Sequence, residues 1–391
     1  MKVLVVEDER VTLARIQGFL SAWGHEPIAA TDGAEAWARF EREPCLMVIT
    51  DWLMPKMDGL ELIRRIRNNS DDGQYVYTIL LTARADKDDI VQGMEAGADD
   101  FITKPFDREE LRVRVRAGER IVELEHALAL RNQQLTAANK RMKDDLKAAA
   151  KIQRAFLPVH PAEVDNVRFA WDITPCAEVA GDTLNIHQLG PHHVGVWVAD
   201  VCGHGVTAAL LSVTLSRALA RLSGPNAVLV NANGVPVPPA EVAARLNRRF
   251  PWHADRKEYF TFLYGLLDTQ TRAFCYVSAG HPGPVRVPSR GDVDLMPTTP
   301  PAIGLLPESS FTQQTVRLEP HDRLYMYTDG IVEALHPNGE MFGTQRLTES
   351  LANDRTAPLQ ASVDNLLANV AAWSSGHEPT DDLSVLGLEI A

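Results

Sequence analysis

Strand-like apolar runs alternate with helical patterns through the first 120 residues, and this alternation constrains the fold more than any other feature of the sequence. The apolar runs are KVLVVED, LMVITDW, TILLTA and DDFITKP, and the segments between them include RVTLARIQGFLSAWG and GLELIRRIRNN. Strands that alternate with helices pair in parallel, because a parallel neighbour needs a crossover connection. Residues 1–120 are therefore predicted to form a doubly wound α/β domain.

The length and composition indicate a folded protein of several domains. A chain of 391 residues is too long for one ordinary core and predicts two or three domains. No apolar run approaches the roughly 18 residues that span a bilayer, and the chain does not begin with a signal-peptide pattern. We expect a cytoplasmic protein that is not bound to a membrane. The net charge of −13 also disfavours binding to nucleic acid.

The four cysteines are widely separated and form no CxxC pair. This spacing disfavours a zinc ribbon and a disulfide framework, and it predicts buried thiols. The residues concerned are Cys45, Cys176, Cys202 and Cys275.

Residues 121–157 contain no glycine or proline and are rich in charged residues and alanine, which predicts one long helix. Residues seven positions apart form one mostly apolar seam and a second, mixed seam that contains an arginine and an aspartate. The pattern favours a two-stranded coiled coil, while a solvated spacer or a helix packed on its own domains remains an alternative. The first seam is Ile121, Leu128, Leu135, Met142, Ala149 and Phe156, and the second is Leu124, Arg131, Ala138, Asp145 and Ile152.

Residues 158–391 have a different pattern, with short β-rich runs around helical stretches at 206–222 and 239–250. The runs include HHVGVWVAD, EYFTFLYGLLD, AFCYVSAG, DRLYMYTDG and LSVLGLEI. This arrangement is typical of an α+β sandwich.

Polar residues follow the strands of the first domain at the edge where such sheets bind ligands. They are Glu7, Asp8, Asp51, Thr82 and Lys104. Two adjacent carboxylates after a buried strand repel each other unless a metal or a lysine lies between them. A metal-bound carboxylate with a hydroxyl and an ammonium nearby can accept a phosphoryl group.

The order and spacing of these residues resemble the receiver domain of two-component response regulators over residues 1–120. The resemblance implies a parallel five-stranded sheet, Asp51 as the phospho-acceptor, and Thr82 and Lys104 in contact with the phosphoryl group. It also implies a sensor histidine kinase as partner. The implied Mg²⁺ ligands are Glu7, Asp8, Asp51 and the carbonyl of Leu53.

Phe101 lies where the receiver family has an aromatic switch residue. It lacks a hydroxyl, so it would signal by packing alone. Plain core packing is an equally good interpretation.

Carboxylates also recur in the last domain, each at a strand edge or in a glycine-bearing turn. Scattered acids of this kind suit hard divalent cations, because Mg²⁺ and Mn²⁺ prefer oxygen ligands. We expect two metal ions. The acids are Asp182, Asp200, Asp329, Asp381 and Asp382.

From KIQRAFLP to the carboxyl end, the sequence resembles the SpoIIE/RsbU branch of the protein phosphatase 2C superfamily, with FTFLYGLLD, SAGHPGP and YTDGIVEA in family order. The resemblance implies an α-β-β-α sandwich and a serine/threonine phosphatase with two Mn²⁺ or Mg²⁺ ions. It implies that Asp200 bridges the ions with help from the Val201 carbonyl. Asp329 and Asp381 would complete one site, Asp182 would lie at its edge, and Asp382 is included among the metal ligands.

Three further positions have competing interpretations. Asn185 stands where many relatives have a second aspartate, which weakens the case for an additional metal. His204 and His281 could orient substrate or move a proton, but histidines in glycine-rich turns more often make local hydrogen bonds. Cys202 is expected to be a small buried filler.

These features combine into a response regulator with an enzymatic output. Its expected parts are a receiver at 1–120, a coiled-coil linker at 121–157 and a phosphatase at 158–391. By analogy, the substrate is a phosphorylated anti-sigma-factor antagonist, and the coiled coil would make the protein a homodimer. The alternative is a catalytically weak module that sequesters that partner in a phosphorylation-dependent way.

Overall fold

The computed structural model describes residues 1–69, 75–83, 87–158, 162–164, 166–203, 205–251, 259–299 and 301–391. The chain forms two compact units, Met1–Lys140 and Arg141–Ala391. Among the described helices, none is both long and apolar enough to cross a membrane.

The first unit contains a five-stranded parallel sheet with strand order β2-β1-β3-β4-β5, which confirms the predicted doubly wound α/β fold. The strands are β1 (Lys2–Val6), β2 (Glu26–Ala30), β3 (Met47–Asp51), β4 (Tyr77–Thr82) and β5 (Asp100–Thr103). The connecting helices are α1 (Arg10–Ala22), α2 (Gly33–Arg42), α3 (Gly59–Asn68) and α4 (Lys87–Glu95).

Burial on both faces explains why the strands of this sheet are apolar throughout. Every residue of β3 is buried, and Val5 and Ile49 pack on one face while Leu4 and Val48 pack on the other. Polar residues are therefore confined to the strand ends, where the acids lie.

A single helix, α5 (Arg108–Arg154), runs for 47 residues. Its first turns pack on the sheet through buried residues that end at Val122, and all residues from 123 to 145 are exposed. The helix begins before residue 121 because no proline separates the last helix of the α/β fold from the charged segment, and the buried Gly118, which packs closely on Tyr77 and Met47, does not interrupt it. The exposure of residues 123–145 thus disfavours packing of this part of the helix on its own domains.

The second unit consists of two antiparallel sheets packed face to face. Their strand orders are β14-β11-β10-β9-β8 and β13-β12-β15-β16-β7-β6. The strands are β6 (Ala162–Val164), β7 (Val167–Thr174), β8 (Thr183–Gly190), β9 (His193–Val201), β10 (Phe260–Asp268), β11 (Ala273–Ala279), β12 (Val285–Val287), β13 (Asp294–Leu295), β14 (Gln313–Arg317), β15 (Arg323–Tyr327) and β16 (Leu383–Ile390).

Helices cover the outer face of each sheet, so the layers run α-β-β-α. Residues such as Val196, Leu263 and Leu386 fill the space between the sheets. The helices are α6 (Val206–Leu219) and α7 (Pro239–Arg249) on one side, and α8 (Asp329–Glu333), α9 (Gly343–Asn353) and α10 (Leu359–Trp373) on the other. The prediction of two helical stretches was therefore incomplete: α9 and α10 also carry apolar residues at helical spacing, and these pack against the second sheet.

Candidate active sites

The strand ends of the first unit gather the predicted acids into one cluster. Glu7 follows β1 and Asp51 ends β3, and these two side chains and Asp8 offer carboxylate oxygens within 4.8 Å of one another. In the part of the chain that the structure describes, no other group of three acids, histidines or cysteines is this close. Lys104 lies between two of the acids, with its Nζ 2.7 Å from Glu7 Oε2 and 3.0 Å from Asp51 Oδ2.

Burial dominates the electrostatics of this cluster. It raises the pKa of Glu7 and of Asp51 above their ordinary values, although hydrogen bonds from Lys104 oppose the shift. Burial also lowers the pKa of Lys104, but hydrogen bonds and charge interactions with Glu7 and Asp51 outweigh it and the net pKa is raised. The cluster therefore holds more negative charge than one lysine compensates.

Close backbone packing positions Asp51. A Cβ added to Gly59 would lie 2.1 Å from the Asp51 carbonyl oxygen, so only glycine fits there. Thr82 ends the neighbouring strand β4 and is buried. Leu53 lies in the following loop with 56% of its surface exposed, two residues after Asp51. Phe101 is partly buried against a small cluster that includes Trp52.

In the second unit, three of the five predicted acids line one cavity of about 260 Å³. Asp200 comes from β9, Asp329 from the first residue of α8, and Asp381 from the loop before β16. The cavity is also lined by Cys202, Gly203, Tyr259, Thr261 and Thr380. Sheet register explains part of this set, because Thr261 on β10 pairs directly with Asp200 on β9.

The negative charges of the cavity acids repel one another, which destabilises the ionised form of each. Burial, followed by the charges of Asp329 and Asp381, raises the pKa of Asp200 to about 7. Burial and then the charge of Glu333 raise the pKa of Asp329. Sequence reasoning missed Glu333, although its position four residues after Asp329 in YTDGIVEA was a readable signal for the same helix face.

The other two acids lie behind the cavity in hydrogen-bonded positions. Asp182 is buried and accepts hydrogen bonds from Thr328 Oγ1 at 2.8 Å and Ser384 Oγ at 2.5 Å. Asp382 accepts backbone N–H bonds from Cys176 at 2.8 Å and Gly181 at 2.6 Å. Asp182 thus contacts the residue before Asp329, whereas Asp382 holds the turn that leads into Asp182.

Gln153, near the end of α5, forms a clamp that sequence reasoning did not single out. Its Nε2 donates to Ala180 O at 2.6 Å and to Ser212 Oγ at 2.8 Å, and its Oε1 accepts from Ala180 N at 3.1 Å. Asn185 Nδ2 donates to Phe156 O at 2.6 Å. The end of the long helix is thus fastened to the turn just before Asp182.

Of the two histidines that the sequence singled out, the structure describes His281. His281 is buried, burial lowers its pKa to about 3, and its Nδ1 lies 2.7 Å from Thr261 Oγ1. His281 therefore contacts a cavity residue rather than the cavity itself, and His204 lies outside the described residues.

The prediction of buried thiols was wrong except for Cys45. Cys202 is exposed because the chain leaves β9 just before it, at the rim of the cavity. Cys176 and Cys275 are partly exposed.

Two family models match the chain, one in each unit. The family model of the response regulator receiver domain matches residues 3–116, and that of Stage II sporulation protein E (SpoIIE) matches residues 190–391, more than half of the chain. The chain belongs to the SpoIIE family. Its receiver domain precedes the SpoIIE-type phosphatase domain, as the sequence predicted.

Two relatives are similar to this chain in sequence, and one solved structure is similar to it in fold. Protein IcfG of Synechocystis is 26% identical over 66% of this chain and 44% of its own length. Phosphoserine phosphatase RsbP of Bacillus subtilis is 26% identical over 61% of this chain and 56% of its own length. The chain thus spans about half the length of these relatives. The SiaA-PP2C domain of Pseudomonas aeruginosa aligns with a TM-score of 0.56 at 22% identity, covering 65% of this chain and 99% of that domain, which shows a common fold.

Proposed function

We propose that the second unit is a metal-dependent serine/threonine protein phosphatase and that phosphorylation of Asp51 in the first unit controls it. The observation that carries this proposal is the cavity lined by Asp200, Asp329 and Asp381. Three carboxylates around one open cavity form an oxygen-only ligand set for Mn²⁺ or Mg²⁺.

The raised pKa of Asp200 supports a bound cation, because it reflects burial and negative charge that no described lysine or arginine offsets at the cavity wall. In this proposal, Asp200, Asp329 and Asp381 would hold two ions, with help from the Val201 carbonyl. When bound, the ions would supply an activated water and neutralise charge on the phosphate.

The remaining residues would position the substrate and the ligands. The hydroxyl groups of Thr261, Tyr259 and Thr380 border the cavity and can donate hydrogen bonds to phosphate oxygens. The Thr261 side chain is itself oriented by His281. Asp182 and Asp382 would hold the chain segments that carry the metal ligands. Alternatively, Asp182 would contact a metal through water.

In the first unit, Asp51 would accept a phosphoryl group from a sensor histidine kinase. Mg²⁺ would be held by Glu7, Asp8, Asp51 and the Leu53 carbonyl. Lys104 already contacts Asp51, and it can move from the Glu7 carboxylate to the new phosphoryl oxygens, which offer a stronger charge-assisted hydrogen bond. Thr82 at the neighbouring strand end would supply a hydroxyl to the same group.

For the substrate we infer a phosphoserine or phosphothreonine protein, and by analogy a phosphorylated anti-sigma-factor antagonist. A relative, RsbP, carries the name phosphoserine phosphatase, which supports this class of substrate. Dephosphorylation of such an antagonist would free a sigma factor by partner switching.

The test is phosphate release from a phosphoserine protein with Mn²⁺, with EDTA, and with acetyl phosphate as phospho-donor. Asp200→Asn should lower turnover at least about a hundredfold, because the central metal ligand is lost, and the exposed Asp292→Asn should not. EDTA should abolish release by the wild type. Turnover of Asp200→Asn within about threefold of wild type at saturating Mn²⁺ would contradict the assignment and favour the binding-module alternative.

Asp51→Asn tests the proposed control of the phosphatase by phosphorylation of Asp51. It should remove any effect of acetyl phosphate on the phosphatase while leaving the basal rate unchanged, because Asp51 lies in the first unit and the cavity in the second. A persistent effect of acetyl phosphate in this variant would mean that another residue accepts the phosphoryl group.

A further inference from the structure

A second, larger cavity adjoins the acidic one. It measures about 510 Å³ and lies between the chain after α8 and the C-terminal half of α10. Thr380 and Asp381 line both cavities, and Gly330, which follows Asp329, lines the larger one. The two cavities are therefore neighbours that share the Thr380–Asp381 segment. We call the larger cavity the α8–α10 groove.

The walls of the α8–α10 groove are mainly apolar and its rim is polar. The apolar lining includes Ala334, Leu335, Leu367, Val370, Ala371 and Leu383. His336, His377 and Glu378 contribute polar groups. Leu335 is 43% exposed although it faces an apolar groove, which is the arrangement of a surface that buries a partner's side chain.

One wall of the groove is held in place by aromatic packing. The His336 ring centroid lies 4.8 Å from the Trp373 ring centroid, and the Arg346 guanidinium carbon lies 3.8 Å from the same Trp373 centroid. Trp373 Nε1 also donates to Glu340 O at 3.3 Å. A wall with these contacts is largely preformed, so an occupant need not order it.

The position of the groove selects its occupant. A phosphoserine side chain is short, so a phosphate inside the acidic cavity brings the substrate's backbone against the surface beside it. The α8–α10 groove is an apolar surface that adjoins that cavity at Thr380 and Asp381. We propose that it binds an apolar side chain next to the phosphorylated residue, and so selects phosphoproteins with apolar residues flanking the phosphoserine. This inference rests on the proposed phosphatase function.

The experiment compares three substrates on the full-length protein with Mn²⁺. They are p-nitrophenyl phosphate, a phosphoserine peptide flanked by leucine and valine, and a matched peptide flanked by glycine and serine. The wild type should show a kcat/KM about tenfold higher for the apolar peptide, mostly through KM. Turnover of p-nitrophenyl phosphate reports the phosphatase function independently of the groove.

Two neighbouring alanines on α10 supply a variant and its control. Ala371 lines the groove and Ala372 does not, and both are exposed. Ala371→Arg should fill the groove and remove the preference for the apolar peptide, with p-nitrophenyl phosphate turnover kept within about twofold. Ala372→Arg adds the same charge outside the groove and should change neither the preference for the apolar peptide nor the turnover of p-nitrophenyl phosphate. Leu335→Ser, which removes an apolar contact without adding bulk, should raise KM for the apolar peptide alone.

Several results would overturn the inference. The wild type could treat both peptides alike, or Ala371→Arg could lower turnover of all three substrates equally, which would assign residue 371 to the acidic cavity. A change in sedimentation of Ala371→Arg without loss of peptide preference would make the groove a contact between copies of the chain. Absence of any p-nitrophenyl phosphate turnover by the wild type would overturn the phosphatase function together with this inference.

Discussion

Asp322 is a buried carboxylate that joins three separate backbone and side-chain donors just before β15. It is 1% exposed and accepts hydrogen bonds from Ser289 N at 2.9 Å, Glu319 N at 3.0 Å and Arg286 Nη2 at 2.7 Å. Burial raises its pKa, but these hydrogen bonds and the arginine charge outweigh burial and hold the pKa below its ordinary value. Asp322 directly precedes β15, the strand that leads to Asp329.

We predict that Asp322→Asn lowers the urea midpoint of unfolding by about 1 M, because an amide cannot accept all these bonds and leaves Arg286 without its main partner. Circular dichroism provides the measurement. Asp294→Asn is the control: its side chain is 58% exposed and 3.8 Å from the same arginine, and it should have little effect.

The difference in urea midpoint between the wild type and Asp322→Asn should depend on pH. Because the folded pKa of Asp322 is depressed, its stabilisation is complete above the ordinary pKa of about 3.9 and is lost as pH falls through the folded pKa. The gap between the two urea midpoints should therefore be constant from pH 7 to pH 5 and narrow below about pH 4. A gap that widens on acidification would contradict this account.

At the scale of elements, the end of α5 is the feature with the clearest functional consequence. The Gln153 amide satisfies both backbone groups of Ala180, and Ala180 is two residues before Asp182. The helix therefore supports the turn that leads into the buried acids through hydrogen bonds rather than through apolar packing alone.

Replacing Gln153 by alanine should raise the Mn²⁺ concentration for half-maximal activity about tenfold, because residues that support a metal site affect its affinity by this order. A titration of phosphatase activity with Mn²⁺ measures the effect. Lys151→Ala, at an exposed position in the same helix, is the matched control. Equal Mn²⁺ requirements for the two variants would show that the clamp is dispensable.

At the scale of the whole molecule, α5 carries an exposed apolar seam. Leu124 is 70% exposed, Leu128 56%, Leu135 60% and Met142 58%. Apolar residues repeated on one exposed helix face favour pairing with a second copy of the chain. We therefore propose a two-stranded coiled coil through which phosphorylation of Asp51 changes helix pairing or register and so acts on the phosphatase domains.

Leu128→Asp combined with Leu135→Asp should weaken self-association in sedimentation experiments and remove the response of the phosphatase to acetyl phosphate. Two charges in an apolar seam must be desolvated when the helices pair. Ala129→Asp with Thr136→Asp adds the same charges one position away from the seam and should leave both properties intact. A monomeric seam variant that remains regulated would require the signal to pass within one chain.

Much of the fold and of the first site follows from the sequence alone. Alternating strand and helix patterns dictate a parallel sheet, and the carboxyl ends of parallel strands meet at one edge, so Glu7, Asp51 and Lys104 had to converge. This inference needs only local periodicity and chain connectivity. The sequence also singled out Asp200, which lies near the end of an apolar strand, and Asp329, which follows one, because a glycine comes soon after each.

Tertiary structure decided what local patterns do not encode. Asp382 turns toward backbone N–H groups some 200 residues away, with Gly181 at a separation of 201, whereas its neighbour Asp381 lines the cavity. Adjacent residues of identical type thus have different roles, because the loop before β16 places Asp382 against the 176–181 turn and Asp381 at the cavity. Gln153 likewise depends on where the helix end meets a distant turn. Sequence determines which elements form and where acids can gather, but only packing between distant segments determines each side chain's partner.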